Sequence, residues 1–350
     1  MNQEKTDHLN WQEKFEDFPS LPSPKLWREK QTPGLATREQ IISQKLLHNI
    51  SLSSREINDI IVCINFYKNL KKKLKSFDFS SLNNYNLTKF IGYIGYAYNY
   101  KVLIANPYQI DQTYRMVRNK DGNSKTLVNE ISYPSLDVVK KKGIFNRANS
   151  RDTTMFYSCD KINSCFLELK PEVGEIVTIG IWKPVDKNKE ITCYPIPSIT
   201  KAQRVNSDAS KSYEGLKNHN RKLSPLFNRH LDGYFDILNH EYSKKVNNPL
   251  EYVISAHFSE EILKTSDEKF DFGAILYPSV ENNFASSNLA ISPQTILNHF
   301  YPEQIIEMEI LKTDYSTINQ NFNHNRLTVA TVRVIKEANS IDKNGQILWK

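Results

Sequence analysis

The pattern of apolar and polar positions divides the chain into a helical first part and a second part of short β-prone runs. Two segments of the first part open with capping-box sequences, TREQ at Thr37 and SSRE at Ser53, and apolar residues follow each of them. A third helix is predicted over residues 86–98. Several prolines interrupt the residues before Thr37. The pattern therefore predicts an extended lead over residues 1–36 and a small helical region over residues 37–104.

Beyond residue 105 the runs become rich in β-branched and aromatic residues. These runs predict strands over residues 153–158, 175–182, 272–280 and 327–335. Between them, helices are predicted over residues 160–169, with Asp160 as a candidate N-cap, and over residues 226–244, whereas the polar residues 201–224 predict a loop. Strands separated by irregular loops and few helices indicate an α+β fold rather than a regular β-α-β alternation. One such domain is predicted over residues 105–350.

Composition supports a folded chain without a membrane span. Of the 350 residues, 39% are hydrophobic and 11% aromatic, which is enough to build a substantial core. No run of about 18 apolar residues is present. The N-terminal residues are polar and lack the apolar segment of a signal peptide. The four cysteines, which show no paired spacing, are expected to be free thiols, so a cytoplasmic protein is predicted.

The formal charge of +7 raises the alternative of a nucleic-acid-binding module. The densest basic cluster is KNLKKKLKSF, residues 68–77, at the end of the second predicted helix. Lysines at that position also complement the helix dipole. No zinc-finger, RNA-recognition or helix-turn-helix signature accompanies the cluster. The sequence therefore favours a solvated helix end over nucleic-acid binding.

The familiar cofactor and metal motifs are not present. The chain has neither a GxxxxGK[ST] phosphate loop nor a GxGxxG dinucleotide loop, and it has no GxSxG nucleophile motif. The eight histidines show no HxxxH or HExxH spacing, so no metal site and no bound cofactor are predicted.

Three segments instead form an ordered set of candidate functional residues. They are QTYRMVR (112–118), NRANSRDTTMFYSCDKINSCFLELK (146–170) and FDFGAILYPSVENNFASSNLAISP (270–293). In this order they resemble the RES domain family, which is named for its arginine, glutamate and serine. The resemblance covers roughly residues 105–345 and leaves the first hundred residues outside it.

The positions that carry the resemblance are spread over all three segments. Two departures are visible: Asn146 stands where the family usually has glycine, and Ser164-Cys165-Phe166 stands where a Thr-Ala pair is commoner. The matching positions are Tyr114-Arg115, Arg147-Ala148-Asn149, Tyr157, Glu168, Ser279 and Asn288-Leu289.

The resemblance implies a fold and an activity. Members resemble toxins of bacterial toxin–antitoxin pairs with an ADP-ribosyltransferase-like mixed sheet, and they destroy NAD by hydrolysis or phosphorolysis. NAD is then the substrate, a cognate antitoxin and a second copy of the chain are candidate partners, and no membrane partner is expected.

The candidate residues suit the cleavage of NAD. Guanidinium groups bind phosphate oxygens in a bidentate fashion, so Arg115 and Arg147 are expected to hold the pyrophosphate. Tyr157 offers an aromatic face, and Glu168 is expected to stabilise the cation that develops on the ribose. Ser279 is expected to hydrogen-bond the ribose or the nicotinamide amide. Asn288 is a further binding candidate, or a cap for the loop near Ser279, whereas Arg118 and Arg151 are lesser candidates.

Two matters stay open at this level. The same chemistry is compatible with transfer of ADP-ribose to a macromolecule, and the acceptor in cleavage is either water or phosphate. The helical region over residues 37–104 is expected to pack against the RES-like domain or a second copy, because no Gly/Ser-rich linker lies near residues 100–112.

Overall fold

The computed structural model describes five segments of the chain. They are residues 50–97, 106–196, 225–264, 272–315 except Asn283 and Ala285, and 329–350, together with the isolated residues Lys45, Gly215 and Asn218. Apart from these isolated residues, the predicted lead, the helix expected at Thr37 and the loop expected over 201–224 lie outside the described residues.

Nine strands form one open, mostly antiparallel sheet in the described part of the chain. Their order is β1-β5-β6-β7-β3-β2-β4-β8-β9, and only the β5–β6 pair is parallel. The strands are β1 (Asn106–Gln109), β2 (Thr113–Arg118), β3 (Phe156–Cys159), β4 (Ile176–Pro184), β5 (Glu190–Pro195), β6 (Ala274–Pro278), β7 (Ser287–Ile291), β8 (Phe300–Thr313) and β9 (Ala330–Ala338).

Seven α-helices are described beside this sheet, so the predicted α+β class is confirmed. The helices are α1 (Ser54–Leu74), α2 (Asn84–Ala97), α3 (Leu136–Lys142), α4 (Ile162–Leu169), α5 (Pro225–Ser243), α6 (Val253–Leu263) and α7 (Pro293–His299). Short 3-10 turns lie at Phe79–Ser81 and Pro249–Tyr252.

Helix α1 begins where its sequence predicts. The Ser53 side chain accepts from the Glu56 backbone, and the Glu56 carboxylate accepts from the Ser53 N–H at 2.8 Å, which completes the capping box. The Lys45 ammonium, 2.8 Å from the same carboxylate, and the Ser53 hydrogen bonds lower the pKa of Glu56 to about 2. At the other end, Lys71 pairs with Asp236 of α5, 2.5 Å away. Part of the basic cluster is thus engaged within the molecule.

Helices α1 and α2 share one hydrophobic core with α5, α6 and one face of the sheet. Phe90 of α2 is fully buried and stacks on Phe77, with ring centroids 5.1 Å apart. Tyr67 of α1 meets Tyr234 of α5 edge-on at 6.0 Å. The same cluster includes Tyr277 of β6. The described part of the helical region therefore packs on the sheet-bearing part of this same chain.

Several predicted strands and helices match the structure closely, and one predicted cap is wrong. Helix α4 has Lys161, not Asp160, at its N-cap, and no side chain caps it. Asp160 instead accepts a hydrogen bond of 3.0 Å from the Ser287 N–H. Since Ser287 opens β7, the carboxylate ties the start of that strand to the end of β3.

The sheet opens between β2 and β3. These strands pair at a single position, Tyr114 with Cys159, whereas β2 pairs with β4 along its whole length. Side chains occupy the gap: the Thr113 hydroxyl donates to the Cys159 carbonyl at 3.1 Å, and the Arg115 guanidinium donates to the Tyr157 carbonyl at 2.7 Å. The backbone groups at this opening are thereby satisfied without a full ladder, and a cavity forms there.

Candidate active site

A cavity of about 290 Å³ lies where β2 and β3 diverge. On one side stand the helices around α5 and α6, and on the other stands α4, which packs on β2, β4 and β8. Most of the residues proposed from the sequence meet here. The lining includes Arg115, Arg147, Tyr157, Glu168, Tyr252 and Asn288.

Glu168 projects from the last turn of α4 with one oxygen held and the other open. Its Oε1 accepts from the Ser279 hydroxyl at 2.6 Å and from the Asn288 amide at 2.7 Å. Among the described residues, Oε2 has no hydrogen-bond or ion-pair partner. The residue is exposed, although the apolar run around it suggests a half-buried carboxylate. Two neutral donors therefore fix the carboxylate without neutralising it.

Ser279 lies behind this carboxylate and does not line the cavity. Its side chain is fully buried at the end of β6. The hydroxyl donates to Glu168 and accepts from the Asn282 N–H at 3.3 Å. The expected contact of Ser279 with a ribose or an amide is therefore not prepared by this geometry, which instead makes Ser279 a positioning residue.

A second buried cluster joins α4 to the loop between β6 and β7. The hydroxyls of Ser164 and Ser286 lie 2.6 Å apart. The Asn282 amide donates to both, at 3.1 and 2.7 Å. Because all three side chains are buried and paired, they fix the helix relative to the loop that supplies Ser279. No local sequence pattern predicts this cluster, because Ser164 on the helix lies 118 and 122 positions before its two partners on the loop.

Arg115 reaches the cavity through the opening in the sheet. Its Nε donates to the Ser132 carbonyl at 2.8 Å, one Nη donates to the Tyr157 carbonyl, and the guanidinium lies 5.4 Å from the centre of the Phe156 ring. Burial lowers the pKa of Arg115 to about 10, so the group stays charged at neutral pH. In the described part of the chain no carboxylate pairs with it, and its second Nη remains for a ligand.

Arg147 is held by the end of α5. Its guanidinium donates to the carbonyls of Tyr242 and Lys244 and, at 3.3 Å, to the Tyr252 hydroxyl. The Tyr252 ring also lies 5.0 Å beneath it. These partners are neutral, and no carboxylate among the described residues pairs with the guanidinium. The predicted bidentate grip on a pyrophosphate would require the guanidinium to turn from these carbonyls.

The ring of Tyr157 lines the cavity, and its hydroxyl makes two structural hydrogen bonds. Its hydroxyl accepts from the Ala148 N–H at 2.9 Å and donates to Asn149 at 2.8 Å. Burial raises the pKa of Tyr157, so the phenol stays protonated at neutral pH. The ring lines the cavity while the hydroxyl secures the turn that carries Arg147.

The lesser candidates lie outside the cavity lining. Arg151 lies over the Phe145 ring at 5.1 Å. Arg118 pairs with Glu175 at 3.1 Å and donates to the Leu169 and Lys170 carbonyls at the end of α4. Arg118 thus supports the helix that carries Glu168 and does not reach the cavity.

Residues that the sequence did not single out complete the walls. Tyr252 ends the short 3-10 turn Pro249–Tyr252, and the capping box formed there by Asn248 and Glu251 is the local signal that could have located it. Cys159 and Cys165 face each other at the cavity, and hydrogen bonding to Cys165, with burial, raises the pKa of the Cys159 thiol. That direction keeps Cys159 a protonated, unreactive thiol.

Comparison with protein-family models, with curated proteins and with solved structures finds no match to this chain. Within the described residues, no group of three or more His, Cys, Asp or Glu side chains is placed to hold a metal ion. No helix in the same segments is both long and apolar enough to cross a membrane.

Proposed function

We propose that this protein cleaves the bond between nicotinamide and ribose in NAD, by hydrolysis or phosphorolysis, and acts as a growth-arresting toxin. The observation that carries the proposal is the state of Glu168: a carboxylate fixed by two neutral donors, unpaired with any described cation, and open to a cavity. The ADP-ribosyltransferase-like character of the fold belongs to the same proposal. It is supported by the ordered motif set and by the mixed α+β architecture.

The charges around the cavity suit this substrate. The charged residues in the lining are Arg115, Arg147 and Glu168. NAD carries an anionic pyrophosphate and a cationic nicotinamide ring. Two guanidinium groups without a carboxylate partner in the described segments attract the first, and a carboxylate without a cationic partner there attracts the second. Other carboxylates nearby, such as Glu175 and Glu281, have cationic partners and offer no such site.

The reaction requires little proton transfer. When the glycosidic bond breaks, its electron pair goes to the ring nitrogen, and nicotinamide leaves as a neutral molecule. Positive charge develops on the ribose, where the preorganised Glu168 carboxylate stabilises it. Water or phosphate then attacks the anomeric carbon, and attacking water loses its proton to the carboxylate or to solvent.

Incubation of the purified protein with NAD, with and without phosphate, tests the proposal. We expect release of nicotinamide, with ADP-ribose as the second product of hydrolysis or its 1″-phosphate as the product of phosphorolysis. Mass spectrometry identifies both. Label from the adenylate half that enters protein or nucleic acid would indicate ADP-ribosyl transfer instead. Unchanged NAD would refute the enzymatic proposal.

Arg147 and Arg151 form a matched pair for testing how the substrate is held. Arg147→Lys keeps the charge but loses the planar fork and its stacking on Tyr252, so the KM for NAD should rise about tenfold, the scale of one charged hydrogen bond. Arg151→Lys should change KM by less than about twofold, because Arg151 lies outside the cavity lining. Steady-state kinetics of both variants provide the measurement. A larger effect at Arg151 would place the phosphate site elsewhere.

A further inference from the structure

Asn288 presents a buried acceptor that the protein itself leaves unused. Its side chain is 6% exposed, in the middle of the sheet on β7. The amide nitrogen must face Glu168, because a carboxylate oxygen only accepts hydrogen bonds. The amide oxygen Oδ1 is therefore turned away from Glu168. Within the described part of the chain, Oδ1 is buried without a hydrogen-bond partner.

An acceptor in that position is costly unless a ligand uses it. A buried polar atom left unpaired has lost its hydrogen bonds to water without replacement, which destabilises the fold. Asn288 lines the cavity, so a ligand bound there lies against this side chain. A hydrophobic residue at this position would avoid the cost, but it would lose the hydrogen bond to Glu168. The amide nitrogen thus has its partner in the carboxylate, while the amide oxygen has none among the described residues.

The surroundings of Asn288 indicate which ligand donor it meets. In the sheet register Asn288 lies between Tyr277 of β6 and Cys159 of β3, and both also line the cavity. Tyr157 stands two positions from Cys159 along β3 and therefore on the same face. This wall of aromatic and thiol groups suits a flat ring. Ribose hydroxyls have a stronger acceptor in the open Oε2 of Glu168.

We infer that Asn288 recognises the carboxamide N–H of the nicotinamide ring and thereby selects amide-bearing dinucleotides. The inference rests on the proposed function. In NAD the carboxamide stands on the ring carbon two bonds from the nitrogen that is bonded to the ribose. A substrate placed with its anomeric carbon at Glu168 therefore brings its amide to the neighbouring side chain. Asn288 thus both orients the Glu168 carboxylate and recognises the nicotinamide leaving group.

The test compares two substrates in two variants, each of which loses one hydrogen bond to Glu168. Asn288→Ala and Ser279→Ala each remove one hydrogen bond from Oε1 of Glu168, so both should lower turnover. Only Asn288→Ala removes the acceptor. The second substrate is the 3-acetylpyridine analogue of NAD, which keeps the ring carbonyl and the charge but replaces the amide NH₂ by a methyl group.

The preference for NAD over this analogue, as a ratio of kcat/KM values, is the readout. Asn288→Ala should reduce the preference about tenfold, the effect of one lost buried hydrogen bond. Ser279→Ala should keep the wild-type preference. An equal preference in both variants overturns the inference, as a ribose hydroxyl on Asn288 would produce. If Asn288→Ala does not fold, wild-type binding decides: equal dissociation constants for free nicotinamide and 3-acetylpyridine overturn it.

The same measurements separate this inference from the proposed function. A wild-type protein that cleaves neither dinucleotide refutes NAD cleavage. Calorimetry with nicotinamide and 3-acetylpyridine then still tests the subsite, because binding of the ring does not require turnover. Tighter binding of nicotinamide supports the role of Asn288, and binding of neither compound overturns it.

Discussion

Replacing Glu168 by glutamine should lower the turnover of NAD by at least about a hundredfold, the scale for removing one preorganised electrostatic stabiliser. The variant should fold normally. Both donors that face Oε1 require an acceptor, so the glutamine amide will turn its oxygen to Ser279 and Asn288 and its nitrogen to the cavity. Shape is kept and the negative charge is lost. Single-turnover kinetics, with KM measured in parallel, report the loss as a change in kcat.

Glu281→Gln is the matched control for this experiment. Glu281 lies on the loop after Ser279 and pairs with Lys170 at the end of α4, outside the cavity lining. Losing that exposed ion pair should change turnover by less than about threefold, since such pairs contribute about 0–1 kcal/mol. In cells, wild-type expression should deplete NAD and arrest growth, and Glu168→Gln should relieve both. Turnover of the variant within a few-fold of wild type would show that Glu168 has no catalytic role.

The sequence predicts those elements of the fold whose signals lie within a few neighbouring residues. Ser53 and Glu56 complete their capping box within one turn, so the start of α1 is visible in four residues. Strand β4 is rich in β-branched residues, and it was predicted to within two residues of its end. Two missed helices also carry local signals: Ser135 caps α3 before Gly143 ends it in the left-handed region, and Ser292 caps α7 before Pro293.

Strand β8 could not be predicted in this way. It has Pro302 near its start, and half of its 14 residues (three Glu, Gln304, Met308, Leu311 and Lys312) favour helices. Its strand state depends on pairing with β4 and β9. Glu307 within it is buried and accepts hydrogen bonds from Asn119 and Ser124, more than 180 positions away. A buried glutamate in a strand reads as an exposed residue until those distant donors are known.

The sequence likewise identifies some features of the candidate site, whereas others depend on the fold. The ordered motifs identify Arg115, Arg147, Tyr157, Glu168 and Asn288, which the fold gathers around one cavity. Their partners are not identifiable from sequence. The carbonyls that hold Arg147 come from the end of α5, about 95 positions away. The burial of Ser279, which changes its expected role from ligand contact to orientation of Glu168, is also a tertiary property.

Deleting residues 1–104 should leave a remainder that does not fold into a stable, active protein. The deletion removes a dozen buried side chains of the core shared with α5 and α6, among them Leu70, Phe90 and Ile94. Each such side chain contributes about 1.5–3 kcal/mol by burial, whereas a whole domain is stable by about 5–15 kcal/mol. The faces of α5 and α6 would be left in water. Soluble yield and thermal unfolding of the truncated chain provide the measurement.

Deleting residues 1–104 should also disturb the cavity lining. Lys244, whose carbonyl accepts a hydrogen bond from Arg147, has its ammonium 4.8 Å from the centre of the Phe79 ring, which lies between α1 and α2. The helical region therefore supports the segment that holds the guanidinium. A stable fragment of residues 105–350 with full NAD-cleaving activity would show that these helices are a separate module.

Two neighbouring isoleucines of α1 distinguish packing from a general effect of changing this helix. Ile60 is fully buried against the shared core, whereas Ile61 is 38% exposed. In the full-length chain, Ile60→Ala should lower the free energy of unfolding by about 2–5 kcal/mol, because it leaves a cavity in that core. Ile61→Ala, the same chemical change one residue along, should cost less than about 1 kcal/mol. If the α1–α5 contact stabilises the sheet-bearing part, Ile60→Ala should also lower the temperature at which NAD-cleaving activity is lost. Unfolding of α1 alone, with activity retained to the wild-type temperature, would contradict a shared core.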